Sequence, residues 1–211
     1  MQERALQTQV AWACRILAME GHADLTLGHI SARGSADQVY IKRKGLGLNE
    51  VGLSDILTID LDCNKIAGDG EMHLEAVLHT EVYRHRPDVS AVVHTHPAYA
   101  TALSATSERL QFVNHDAVLF RDGVGIYSGS ADLIMDAENA QAVARALGQR
   151  RAVLMCNHGI LVGDKTVPWV VYAALTLERA ARVQAIAKTF GDLRPIPQET
   201  IKHISANKYR D

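Results

Sequence analysis

The stretch LEAVLHTEVYRHRPDVSAVVHTHPAYATALSAT, residues 74–106, reads as a helix, a strand and a second helix in succession. Its first part is a helix that Pro87 stops, because the residue before a proline is pushed away from helical angles. SAVVHTH, residues 90–96, then has the apolar run of a buried strand, and AYATALSAT, residues 98–106, that of a short helix. Alternation of this kind within one stretch predicts a layered α/β domain.

The flanks continue the pattern. Upstream, Ala5, Leu6, Val10, Ala13, Ile16 and Leu17 recur at helical spacing over residues 2–20, with Gly21 placed to end the helix. Short strands are expected at QVYIK (38–42) and ILTIDLD (56–62), separated by the glycine-punctuated RKGLGLNE. Downstream, strands are expected at 110–120, at 124–127 and at AVLMCNHG (152–159), with helices at 131–147 and from Val167 to Phe190. Thr166 caps that last helix, Pro168 sits in its first turn and Gly191 ends it. Residues 1–211 show no repeat, low-complexity tract or linker, so one domain is expected.

Bulk composition narrows the classes of function. Hydrophobic residues make up 47 % of the 211 and charged residues 22 %, enough for a sizeable core. A formal net charge of -2 supplies no basic footprint for a phosphate backbone, so no nucleic-acid partner is expected. No apolar stretch approaches the roughly 20 residues that span a bilayer, and the start lacks a signal-peptide core. A cytoplasmic protein without a membrane partner is the expectation. Cys14, Cys63 and Cys156 are odd in number and form no C-x-x-C pair, which predicts reduced thiols.

The chemistry concentrates in histidines. In an extended strand His94 and His96 project to one side, about 7 Å apart along the chain. His158 closes a second apolar strand, where Gly159 gives the backbone room. Three imidazoles from two strand ends would make an open-sided metal site with space for a substrate. Spacing alone leaves open the alternative that they are unrelated surface or capping side chains.

The run EAVLHTEVYRHRPDVSAVVHTHPAYATAL, followed about sixty residues later by NHGILVGDKTV, resembles the class II aldolase/adducin family. GHADLTLGHISAR and YIKRKGLGL resemble that family's substrate loops, so the likeness covers nearly the whole chain. It implies a three-layer α/β/α fold on a largely antiparallel central sheet. It also implies one divalent metal ion per subunit, zinc first, with manganese, cobalt or iron(II) compatible with such ligands. The implied ligands are His94, His96 and His158, together with Glu75, which also serves as general base. Without the resemblance, Glu75 reads equally as a first-turn acid favoured by the helix dipole. His79 lies one turn on and faces the same way, either behind the site or packed on the helix face. The resemblance further implies a homotetramer with sites between subunits. His115 stands where the family's aldolases carry a proton-donating tyrosine from the neighbouring subunit, and Tyr209 where some carry a tail tyrosine.

Departures from the sugar-phosphate pattern bear on the substrate. Where the family usually reads GNVS this chain reads GHIS, and MHLE replaces a pair of serines before the base. Thr26, Gly28 and Gly45 remain, while His29, Ser31, His73 and the pair Lys42 and Lys44 offer donor or cationic groups suited to a carboxylate. The two lysines also fit a solvated edge strand. The expected function is a metal-dependent carbon–carbon lyase, decarboxylase or aldolase, acting on a non-phosphorylated hydroxy or oxo acid. A sugar-phosphate aldolase and a non-catalytic adducin-like module are the alternatives.

Overall fold

The computed structural model describes residues 2–209; the ends of the expected unit, Met1, Arg210 and Asp211, lie outside them. Among the described residues eight strands form one sheet: β1 (His29–Arg33), β2 (Val39–Lys42), β3 (Ile56–Ile59), β4 (Lys65–Ala67), β5 (Ala91–Thr95), β6 (Gly125–Tyr127), β7 (Ala152–Met155) and β8 (Gly159–Asp164). Their order is β4-β3-β2-β1-β5-β8-β7-β6, and every neighbouring pair is antiparallel except β6 with β7. This is the largely antiparallel sheet of the expected fold.

Helices cover both faces. α1 (Gln2–Leu17), α3 (Ala98–Ser104) and the long α5 (Val167–Phe190) share a core with Ile30, Ala32, Val93, Leu154 and Val162. α2 (Ala76–His85) and α4 (Ala137–Leu147) cover the other face, where Val39, Ile41, Leu57, Val92, Val153 and Leu161 point. Period-two alternation of buried residues thus splits one sheet between two cores. A final helix, α6 (Gln198–Lys208), lies beyond the segments expected to be helical. Among the described residues no helix is long and apolar enough to cross a membrane.

Several boundaries differ from expectation for identifiable reasons. Residues 110–120 form no strand: a loop leads into a 3-10 turn at Asp116–Phe120, whose Ala117, Val118, Leu119 and Phe120 are all buried. A continuous apolar run does not reveal its own period. α4 starts at Ala137, not at 131, because the Asp136 side chain accepts from Asn139 N–H and caps it there. The first helix ends at Leu17 and passes into a wide turn, Ala18–His22, that contains Gly21 at φ +86°. β3 stops at Ile59, where Asp60 folds back onto Asn64. The expected strand 152–159 ends at Met155, and Cys156, Asn157 and His158 make a tight turn into β8. The segments of β1, β4 and β8 carried too little alternation to be read as separate strands.

Candidate metal centre

The site forms where β1 and β5 meet the start of α2. His29 pairs directly with His94 across the two strands, and Ser31 with Val92, so His29, Ser31 and His94 face the α2 side. Glu75 occupies the cap position of α2, yet its side chain makes no cap hydrogen bond. Its Oε1 instead accepts from the Ile134 N–H at 2.9 Å and lies 3.6 Å from His158 Nε2. Its Oε2 lies 3.6 Å from His94 Nε2 and 3.7 Å from His29 Nε2. The first-turn reading of this acid therefore gives way to one in which the carboxylate reaches into the histidine cluster.

The imidazole of His94 is fully buried, whereas His96 and His158 are half-buried and open the cluster outward. Donor atoms of these three lie within 4.8 Å of one another. His94 Nδ1 is 2.9 Å from the Ile160 carbonyl oxygen, which can only accept, so the proton of His94 sits on Nδ1. His96 Nδ1 is 3.1 Å from Asp24 Oδ2 and is held as a donor in the same way. Both Nε2 atoms are then bare lone pairs, and they face each other at 3.1 Å. Two lone pairs at that separation repel unless a cation lies against both. His158, in the β7–β8 turn, and Glu75 complete a set of three imidazoles and a carboxylate that suits a divalent metal ion. The donor chemistry thus fits the group.

Electrostatics match this reading. Burial lowers the pKa of His94 well below the ordinary histidine value, and that of His158 to about 4, so both are neutral and able to ligate. Burial lowers that of His96 too, against the pull of Asp24. Burial also raises the pKa of Glu75, with the Ile134 N–H opposing, which makes its carboxylate a better proton acceptor than a surface glutamate.

The remaining expected residues distribute unevenly. His73 is buried with its ring centroid 4.0 Å from that of His29, so both lie beside Glu75. His79 is fully buried and hydrogen-bonded to His29, behind the site. Gly28 carries φ +74° under Thr95 and Leu48, and Thr26 is exposed on the same loop. Lys42 and Lys44 do not share a solvated edge. β2 is an interior strand, and Lys42 is fully buried on the α1 face with Nζ 3.0 Å from the Thr26 carbonyl. Lys44 lies past the strand end, exposed and 3.4 Å from Glu71; Gly45, at φ +83°, follows it. His115 is exposed, at the start of a turn that packs on α5. Tyr209 is buried and donates to the His115 carbonyl at 2.9 Å, so it is anchored rather than free. Sequence reading missed Asp24; an acidic residue just before a glycine-containing loop carries no signal of its own.

Residues 8–185 match the family model described as Class II Aldolase and Adducin N-terminal domain. The chain belongs to the class II aldolase and adducin family. It is 31 % identical over 210 residues to the 3,4-dihydroxyphthalate decarboxylase of Arthrobacter keyseri, covering 92 % of this chain and 84 % of that protein. It is 26 % identical over 167 residues to the 5-deoxy-D-ribulose 1-phosphate aldolase of Bacillus thuringiensis serovar kurstaki, covering 79 % and 78 %. The solved L-fuculose 1-phosphate aldolase from Glaciozyma antarctica PI12 superposes with a TM-score of 0.88 at 24 % identity, covering 96 % of this chain and 81 % of that one. With decarboxylase and aldolase relatives of this kind, the protein is a lyase of the class II aldolase type.

Proposed function

We propose that this lyase is a decarboxylase or aldolase of a non-phosphorylated hydroxy or oxo carboxylic acid, with residues 1–211 acting as one domain. His94, His96, His158 and Glu75 would hold a divalent metal ion, and Glu75 would also serve as the base that moves the proton. The observation that carries this is the pair of facing Nε2 lone pairs of His94 and His96 at 3.1 Å. Zinc is the favoured ion, with manganese, cobalt or iron(II) compatible. When bound, a divalent cation supplies Lewis-acid stabilisation of the negative charge left as a carbon–carbon bond breaks.

The chain's own residues do the rest. Glu75, buried and held by the Ile134 N–H, shuttles a proton between the substrate and its own carboxylate. His29 and His73 stand where sugar-phosphate enzymes of the family carry small donors, and each keeps a buried ring nitrogen without a partner. Such nitrogens suit the oxygens of a carboxylate. Thr26, Gly28, Lys44 and Gly45 shape the loops on that side. Ser31 and Lys42, engaged by His79, Tyr83 and the Thr26 carbonyl, support the binding groups from behind. In a homotetramer His115 of one subunit reaches the neighbouring site and returns a proton to carbon after carbon dioxide departs. The protein works in the cytoplasm.

A turnover screen of the metal-loaded protein against hydroxyaromatic carboxylates, β-keto acids and ketose phosphates tests this. Release of carbon dioxide or aldehyde from the acids is expected. Reaction of the phosphates alone overturns the carboxylate preference in favour of a sugar-phosphate aldolase. Loss of all lyase activity after zinc, manganese and iron are restored in turn points to the adducin-like module. Light scattering checks the tetramer.

A further inference from the structure

A hydrogen-bonded chain of four side chains runs from the site into the α2 side of the core, and the way its protons point sets what His29 can offer the site. His29 Nδ1 lies 2.6 Å from His79 Nε2, and His79 Nδ1 lies 2.7 Å from Ser31 Oγ. Ser31 Oγ in turn lies 2.7 Å from the Tyr83 hydroxyl. None of the four side chains is more than 1 % exposed. His29 and Ser31 are two apart on β1, and His79 and Tyr83 are one turn apart on α2, so the two elements interdigitate by their own periods.

Counting hydrogens gives this chain a direction. Among the described residues Ser31 Oγ is the hydrogen-bond partner of the Tyr83 hydroxyl, and a buried O–H left without an acceptor is costly, so Tyr83 donates to Ser31. The one proton of Ser31 is then left for His79 Nδ1. Burial lowers the pKa of His79 to about 3, so the ring is neutral and its single N–H is on Nε2, donating to His29 Nδ1. Because His29 Nδ1 accepts from His79, the ring proton of His29 sits on Nε2. That nitrogen is buried without a partner: Glu75 Oε2, 3.7 Å away, is beyond hydrogen-bond reach.

We propose that Tyr83, Ser31 and His79 fix His29 as a one-way donor, whose Nε2–H engages a negatively charged oxygen of the substrate, its carboxylate. The three are positioning residues; His29 is the group that touches substrate. The choice of a carboxylate rests on the function proposed above, whereas the direction of the chain does not. The competing use of the same atoms is a second cation held by His29, His73 and Glu75, whose donor atoms lie within 4.8 Å of one another. A protonated Nε2 offers no lone pair, so the hydrogen count opposes that use.

Nitrogen-15 spectra of histidine-labelled, zinc-loaded protein read the tautomer without any turnover. His29 is expected to show a proton coupled to Nε2 and a bare Nδ1, and Ser31→Ala to mix the two tautomers while Ser31→Thr restores one. Binding of 2-hydroxybenzoate, followed by calorimetry, should weaken about tenfold in Ser31→Ala and recover in Ser31→Thr, the size of one hydrogen bond to a charged group. A bare Nε2 on His29, or a second zinc equivalent that His29→Ala removes, overturns the proposal. The expected tautomer with unaltered 2-hydroxybenzoate affinity in Ser31→Ala overturns its carboxylate part alone.

Discussion

His96 is held from behind by a carboxylate that H-x-H spacing could not reveal. Asp24 Oδ2, 3.1 Å from its Nδ1, sets both the tautomer and the ring plane of a half-buried imidazole proposed as a ligand. Partners of this kind typically contribute 10- to 100-fold to metal affinity, so Asp24→Ala should weaken zinc binding by about that factor in competition with a chelator; unaltered affinity counts against it. Glu75 makes a different demand. Glu75→Gln keeps the Ile134 N–H acceptor and the side-chain volume but removes the base. Turnover should fall by about 10²–10⁴, the usual worth of a positioned acid–base group, with circular dichroism and metal content retained. Wild-type turnover in that variant would refute its role in proton transfer. The three histidines were legible in the chain as a candidate set, and Glu75 joined them through the family resemblance. Which nitrogen of each ring faces inward was not legible, because Ile160 and Asp24, which decide it, lie 66 and 72 residues from the rings they hold.

The β7–β8 turn shows how an element places a side chain. AVLMCNHG reads as one apolar strand, yet the chain reverses after Met155, with Asn157 at φ +57° and Gly159 opening β8. Asparagine tolerates that left-handed conformation better than most residues. A Cβ on Gly159 would lie 2.6 Å from the Thr95 carbonyl oxygen and 2.6 Å from His96 Cδ2. Gly159→Ala must therefore push β8 off β5 beside His96, a proposed metal ligand. It should cost about 1–3 kcal/mol in urea unfolding of the metal-free protein, as other overpacked sites do, and lower its metal content. A variant with wild-type stability and full metal would show that the close approach is not required. Residues 110–120 teach the complementary lesson. Their apolar run was read as a strand, but Val118, Leu119 and Phe120 pack together against the α5 side of the core without any ladder partner.

The whole chain balances its core against the histidines it buries. His22, fully enclosed beside Thr95, and His79, enclosed by His29 and Ser31 with His73 and His94 nearby, have pKa values lowered by burial to about 4 and about 3. Both are neutral when folded, whereas in the unfolded chain each takes up a proton below about pH 6.5. Stability is thus fully present above pH 6.5 and declines as pH falls towards the folded values, by about 1.4 kcal/mol per pH unit for each group. The urea midpoint of the metal-free protein should drop between pH 7 and pH 5, and His22→Asn should flatten that slope; a level profile would contradict it. At this breadth, the amino-acid pattern on its own determined the interleaving of helices and strands, the buried central strand of residues 91–95, the long capped α5 and the residue types of the metal cluster. The first three follow from local periodicity, capping and composition, and the make-up of the metal cluster follows from the family resemblance. Tertiary structure alone decided that β2 is interior with Lys42 turned towards α1, that β8 pairs with β5, and that His29, His79, Ser31 and Tyr83 form one directed chain. Those outcomes depend on register between segments tens of residues apart, and no local spacing encodes which distant acceptor will meet a given ring nitrogen.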